Sequence, residues 1–194
     1  MKKLLTLFLA TTCFSVFAKQ INLNTKNSIS FNRPFTNKFV SKKMVEATNK
    51  CLVQNQKDIY IVLYTPGGSV SAGQKFIEYL NALPCNFHTI TSFAASMGYI
   101  TAQLLEGQRY ILSSGILMSH RASIRGLGGE INGELDSILS LIKHNIYEID
   151  KKVVERLDIE LDAYRSLIAD ELWLTSNMAV TLNHADEEIS ALCD

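Results

Sequence analysis

A chain of 194 residues, 47% of them hydrophobic, is long enough to fold as one domain around a full core. Lys+Arg and Asp+Glu each number 19, so no surplus of positive charge points to nucleic acid as a partner. No stretch interleaves aromatic and basic residues as a single-strand binder does.

The first residues, "MKKLLTLFLATTCFSVFA", carry Lys2 and Lys3, an apolar run from Leu4 to Phe17, and a small residue at Ala18. That order predicts a secretory signal cut after Ala18, leaving 19–194 as a single domain outside the cytoplasm, periplasmic or secreted. The run is shorter than the roughly 20 residues of a membrane span; its retention as an anchor is the alternative. Cys51, Cys85 and Cys193 then remain, an odd number for an oxidising compartment. Cys51 ends one predicted helix and Cys85 follows another, so they pair if those ends adjoin; buried free thiols are the other reading. No CxxC or HExxH spacing suggests a metal, and no cofactor is expected.

Residues 19–37 are polar, with a strand-like "SISF" and a break at Asn32-Arg33-Pro34. Phe39 to Leu52 reads as a helix. "DIYIVLY", Asp58 to Tyr64, reads as a strand buried on both faces, as parallel strands are, and ends in Thr65-Pro66-Gly67-Gly68-Ser69. A helix over Ser71 to Leu83 stops at Pro84. "FHTITSF" is a second strand and "AASMGYITAQLLEG" a helix closed by Gly107. "RYILS" and "ILMSH" read as third and fourth strands joined by a turn at Ser113-Ser114-Gly115. Strands alternating with helices predict an α/β fold built from crossover units.

The rhythm changes at "IRGLGGEING", Ile124 to Gly133, a glycine-rich stretch. A long helix follows, with Leu135, Leu139, Ile142, Ile146, Ile149, Val153 and Leu157 spaced alternately by four and three. Such a seam packs a helix along another helix, either on its own domain or on another subunit.

The chemistry lies at the ends of these elements. Ser96 sits among Ala94, Ala95 and Gly98, small residues that let another molecule approach the backbone closely. A serine hydroxyl attacks only when a base takes its proton, and the base works better when a carboxylate orients it. His120 ends the fourth predicted strand, and Asp170 and Glu171 follow in "IADELWLTS". A developing oxyanion needs two aimed backbone N–H groups; the Pro66-Gly67-Gly68 turn, lacking bulky side chains, lets a substrate carbonyl come within hydrogen-bonding reach, and the Met97 amide at the start of a helix is the natural second donor.

The segments "TPGGSVSAG" (65–73), "FAASMGY" (93–99), "LMSH" (117–120) and "ELWLTSNMAVTLNHAD" (171–186) resemble, in order and spacing, the motifs of the Clp protease proteolytic subunits. The resemblance covers roughly 38–190. It implies a ClpP/crotonase-like fold of repeated βαβ units and a serine peptidase acting on peptides or proteins. It places the nucleophile at Ser96, the base at His120 and the oxyanion donors at Gly68 and Met97. It also implies a protruding handle, an insertion at about 122–160, through which subunits form a homo-oligomer. The family's acid is usually an aspartate two residues before an aromatic; counting back from Trp173 gives Glu171, with Asp170 the alternative. Asn183 stands where the family has glycine and tolerates a left-handed helix cap, and His184 beside it is expected to be a surface or capping residue. The family's partner is a cytosolic ATP-driven unfoldase, which the signal pattern argues against here. Two other classes share the fold: acyl-CoA enzymes of the crotonase type, which lack the Ser-His-acid series, and a non-catalytic interaction module.

Overall fold

The computed structural model describes residues 19–123 and 133–193. Among them, seven strands form one sheet in the order β1-β7-β5-β4-β3-β2, with β6 beside β5. β1 (Lys19–Asn22), β2 (Ser28–Phe31), β3 (Asp58–Thr65), β4 (Asn86–Ala95), β5 (Arg109–Ser119) and β7 (Glu187–Cys193) pair in parallel. β6 (Leu172–Thr175) runs antiparallel to β5. Parallel neighbours need crossovers; α2 (Val70–Asn81) joins β3 to β4 and α3 (Met97–Leu104) joins β4 to β5. The α/β reading holds, and among the described residues no helix is long and apolar enough to cross a membrane.

β3 carries Ile59, Ile61 and Leu63 fully buried on one face, while Tyr60 and Val62 are half-buried and Tyr64 is 62% exposed on the other. The expected burial on both faces therefore fails at the strand's C-terminal end. The larger cluster lies under the helices. There Phe31, Phe35, Phe39 and Phe76 interlock with ring centroids 4.3, 4.9, 5.2 and 6.3 Å apart, joining β2, α1 (Asn37–Thr48) and α2. Each buried ring of this kind stabilises the fold by ~1.5–3 kcal/mol. A smaller cluster of Ile21, Leu23, Ile90, Tyr110 and Ile189 forms separately around β1 and β7.

The helix starts follow capping chemistry. Thr36 accepts the Phe39 N–H and Ser69 the Ala72 N–H, both at 3.3 Å. α1 passes into a wider π turn at Asn49–Val53, which carries Cys51 to Cys85. The two form a disulfide with Cα atoms 5.9 Å apart, resolving the choice between paired and free thiols.

Two element boundaries differ from expectation. β4 continues through Ala94 and Ala95, so α3 begins only at Met97. β5 is one strand, not two: Ser113-Ser114-Gly115 stays within it, but its pairing with β4 jumps from Thr91↔Ile111 to Phe93↔Ile116. Gly115 fits that irregularity because a Cβ there would lie 2.7 Å from the Leu112 and Thr91 carbonyl oxygens.

α4 (Gly133–Leu157) divides in two. Ile149, Val153 and Leu157 are buried in the domain core, whereas Ile138 is 44% and Leu141 68% exposed. Its C-terminal half packs on its own domain as an ordinary amphipathic helix; Leu135, Leu139, Ile142 and Ile146 of the expected seam are half-buried, and the exposed Ile138 and Leu141 lie beside it. The glycine-rich part of the expected handle, 124–132, lies outside the described residues, as does the N-terminal segment 1–18.

Candidate active site

β4 delivers Ser96 to the start of α3 in a backbone conformation rare for a residue with a side chain, φ 55° and ψ −119°. Such strain persists only when the surroundings enforce it. Here the Ser96 N–H donates to the Met118 carbonyl at 2.9 Å, tying the turn to β5. Gly67 (φ 95°) packs beneath: a Cβ there would lie 2.6 Å from the Ser96 Cβ and the Ala95 oxygen, and 2.9 Å from the Met97 nitrogen. Gly98 meets Thr65 in the same way, with 2.7 Å to its Cγ2. The small residues around Ser96 are therefore explained in good part by the chain's own packing. Ala94 and Ala95 are buried, and the neighbour that comes closest is the 65–68 turn. Ser96 does not cap its helix with its side chain, so the hydroxyl is left for other work.

Gly68 (φ 140°) forms a parallel bridge with Phe35. The Phe35 N–H donates to the Gly67 carbonyl at 2.8 Å and the Ser69 N–H to the Phe35 carbonyl at 2.9 Å. In such a bridge the central residue's own N–H points away from its partner, here away from Phe35. A Cβ on Gly68 would strike the Phe35 nitrogen and oxygen at 2.7 Å. Met97 opens α3, where the first N–H groups of a helix have no internal acceptor.

Gly68, Ser96, Met97 and His120 line one cavity of about 550 Å³. Val70, Ile100, Ile146, Ile149 and Ile168 supply an apolar wall. His120 follows the last residue of β5 and is half-buried; no hydrogen bond joins it to Ser96 among the described residues. Catalytic hydrogen bonds are often long before substrate binds.

Neither Glu171 nor Asp170 lines the cavity. β6 pairs with β5 as Met118↔Trp173 and Ser119↔Leu172; continued one residue past the ladder, that register sets Glu171 opposite His120 and Asp170 opposite Arg121. Both carboxylates are exposed, and Glu171 Oε2 accepts the Trp173 indole N–H at 3.0 Å.

Sequence reasoning missed Asp150, the one carboxylate lining the cavity among the described residues. It is buried on α4, and its Oδ2 accepts from Arg165 Nε at 3.1 Å. Burial pushes its pKa up against the opposing pull of Arg165. Nothing in the spacing of α4 distinguishes this aspartate from a solvated one, because its partner comes from α5 (Leu161–Leu167).

His184 corrects an expectation. Its backbone does cap α6 (Ser176–Thr181), the N–H donating to the Ala179 carbonyl at 2.7 Å, and Asn183 has the left-handed φ of 60° expected of it. The ring, however, is buried, with Nδ1 2.7 Å from the Tyr99 hydroxyl. Burial, then the charge of Arg109, lowers its pKa to about 4. Arg109 is itself buried and spends all five guanidinium donors on Gln103, Asn183 and Asp186. Burial alone would raise the Asp186 pKa, but the hydrogen bonds and charge of Arg109 outweigh it and hold the carboxyl below its ordinary value. Among the described residues no group of His, Cys, Asp and Glu could hold a metal ion.

The family model for Clp protease matches residues 15–189. The ATP-dependent Clp protease proteolytic subunit of Streptococcus sanguinis (strain SK36) is 26% identical over 139 residues, covering 69% of each chain. Those of Streptococcus uberis and Lactococcus lactis subsp. lactis are 32% and 31% identical over 101 and 105 residues. These two matches span about half the length of the relatives, 50% and 51%. A match over nearly the whole chain, on an α/β scaffold whose cavity gathers a strained serine and a histidine, fixes the assignment: the chain belongs to the Clp protease family and is a serine-type peptidase.

Proposed function

We propose that this protein is a serine endopeptidase acting outside the cytoplasm without an ATP-driven partner. The observation that carries the site is the strained Ser96 at the start of α3, sharing one cavity with His120, Gly68 and Met97. His120 takes the hydroxyl proton as Ser96 Oγ attacks the scissile carbonyl carbon. The Gly68 and Met97 N–H groups hold the oxyanion. Collapse breaks the C–N bond, the proton passes from His120 to the departing amine, and the acyl group stays on Ser96. Water, deprotonated by His120, then attacks the ester; the acyl C–O bond breaks, His120 returns the proton to Ser96 Oγ, and the acid is released. The β5–β6 register favours Glu171 over Asp170 as the group that orients His120; a rotation of its side chain away from Trp173 brings it into play.

Export rests on the Lys2/Lys3 start, the short apolar run and Ala18, with 1–18 as the cleaved signal and 19–194 as one peptidase domain. The Cys51–Cys85 disulfide supports that setting, since such bonds persist in oxidising compartments. The relatives are named ATP-dependent; an exported chain is separated from cytosolic ATP. The exposed Ile138 and Leu141 support assembly through the handle, because an apolar stripe of this kind normally marks an interface.

The test is labelling of the purified, processed protein with a fluorophosphonate, beside peptide hydrolysis by wild type and Ser96→Ala. Labelling at Ser96 and loss of hydrolysis in the variant are expected. Unlabelled protein without peptidase activity would favour a non-catalytic interaction module instead.

A further inference from the structure

Tyr164 lines the cavity yet is fully buried on α5, and its hydroxyl lies 3.0 Å from Ser119 Oγ. Ser119 is 2% exposed and is the last residue of β5, directly before His120. Tyr99, three residues beyond Ser96 on α3, is likewise fully buried. Its hydroxyl meets His184 Nδ1 at 2.7 Å. The His184 carbonyl accepts from Gln103 Nε2 at 2.9 Å. The Ser119–Tyr164 contact thus draws a buried polar line between the end of β5 and α5, and Tyr99–His184 draws a separate one between α3 and the segment after α6.

Packing alone does not call for either line. Phenylalanine would fill the same space at 99 and 164, and alanine at 119 would remove only a hydroxyl. A buried hydroxyl stabilises little even when bonded and is costly when it is not. With Nδ1 of a neutral His184 accepting, Tyr99 donates to it, and the Ser119 and Tyr164 hydroxyls satisfy each other. What such a line supplies is direction: hydrogen bonds fix orientation where apolar contacts allow sliding.

We propose that Tyr164 and Ser119 are positioning residues for the peptidase reaction. Their hydroxyl pair fastens the end of β5 to α5 and so sets where His120 leaves the strand. The inference rests on the reading of Ser96 and His120 as nucleophile and base.

The experiment compares wild type, Tyr164→Phe, Ser119→Ala and the double variant of the full chain. It measures kcat and KM for a peptide substrate, the rate of Ser96 labelling by a fluorophosphonate, and Tm. Small misplacements of catalytic groups are costly, so each single variant should lose on the order of tenfold in kcat with KM within about twofold. Labelling should slow in step. The double variant should be no slower than the worse single one, because both changes break one contact. Unchanged kcat in both single variants, multiplying losses in the double, or a loss that follows a raised KM and a lowered Tm would each overturn the proposal. If Ser96→Ala keeps full hydrolysis, the underlying reading of the site fails; if only that variant is inactive and the others match wild type, the positioning role alone fails.

Discussion

His184 makes a measurable prediction about acid. Its ring is buried against Tyr99 and near Arg109, and its pKa falls from 6.5 to about 4. Between those values the unfolded chain binds a proton that the folded chain does not, so stability rises with pH across that window. It is complete above pH 6.5 and is lost as pH falls to about 4. At ~1.4 kcal/mol for each tenfold change in proton affinity, the loss is about 3 kcal/mol. The perturbation is His184→Asn, which keeps an oxygen acceptor for Tyr99 and cannot titrate. The assay is urea unfolding of both proteins at pH 7, 6, 5 and 4.5. The variant starts less stable because the ring volume is gone, but the difference between the two should shrink by about 2 kcal/mol between pH 7 and 4.5. Asp186, with its lowered pKa, acts only below pH 3.8, beneath this window. Asp150, with its raised pKa, has the opposite sign and cancels between the proteins. Parallel curves from pH 7 to 4.5 would refute the reasoning.

Further outcomes follow from the same geometry. Glu171→Gln should lower kcat on the order of a hundredfold or more while Asp170→Asn stays within about twofold; the reverse order in a peptidase assay would move the acid by one residue. Gly67→Ala forces a Cβ to 2.6 Å from the Ser96 Cβ at a φ of 95°, so it should cost at least ~2 kcal/mol in urea unfolding and remove activity. Replacing Cys51 and Cys85 with alanine opens a loop of sequence separation 34, and a shift of about 4 kcal/mol in unfolding free energy is expected. Leu141→Asp touches the exposed half of α4 and spares the cavity; light scattering should show a smaller particle than wild type, and a wild-type monomer with full activity would mean that this face needs no partner.

The order of elements was legible because β-branched runs such as Ile59 to Leu63 alternate with capped helices, and local chemistry sets both. The ends of elements were harder. Ala94 and Ala95 have high helix propensity, yet β4 keeps them because Ala94 pairs with both β3 and β5 and Ala95 with β5. Ser113-Ser114-Gly115 has turn composition, yet the chain absorbs it as an irregularity within β5. In each case tertiary pairing overrode a local preference, and the pairing partner lies many residues away.

The candidate site divides along the same line. Ser96, His120, Gly68 and Met97 could be found because each sits at the end of a strand or the start of a helix, where a parallel sheet delivers side chains to one edge. What supports them could not. Tyr99 and His184 are 85 residues apart in sequence, Ser119 and Tyr164 are 45, and Asp150 and Arg165 are 15 apart on separate helices. Each of these partners is ordinary on its own: an aromatic on an apolar helix, a serine at a strand end, a charge on an amphipathic surface. Their meaning comes from burial, because a polar atom removed from water must find a partner that the fold, not the local sequence, supplies. The residues of the candidate site are thus written locally in this chain, while the buried contacts around them join residues far apart in sequence.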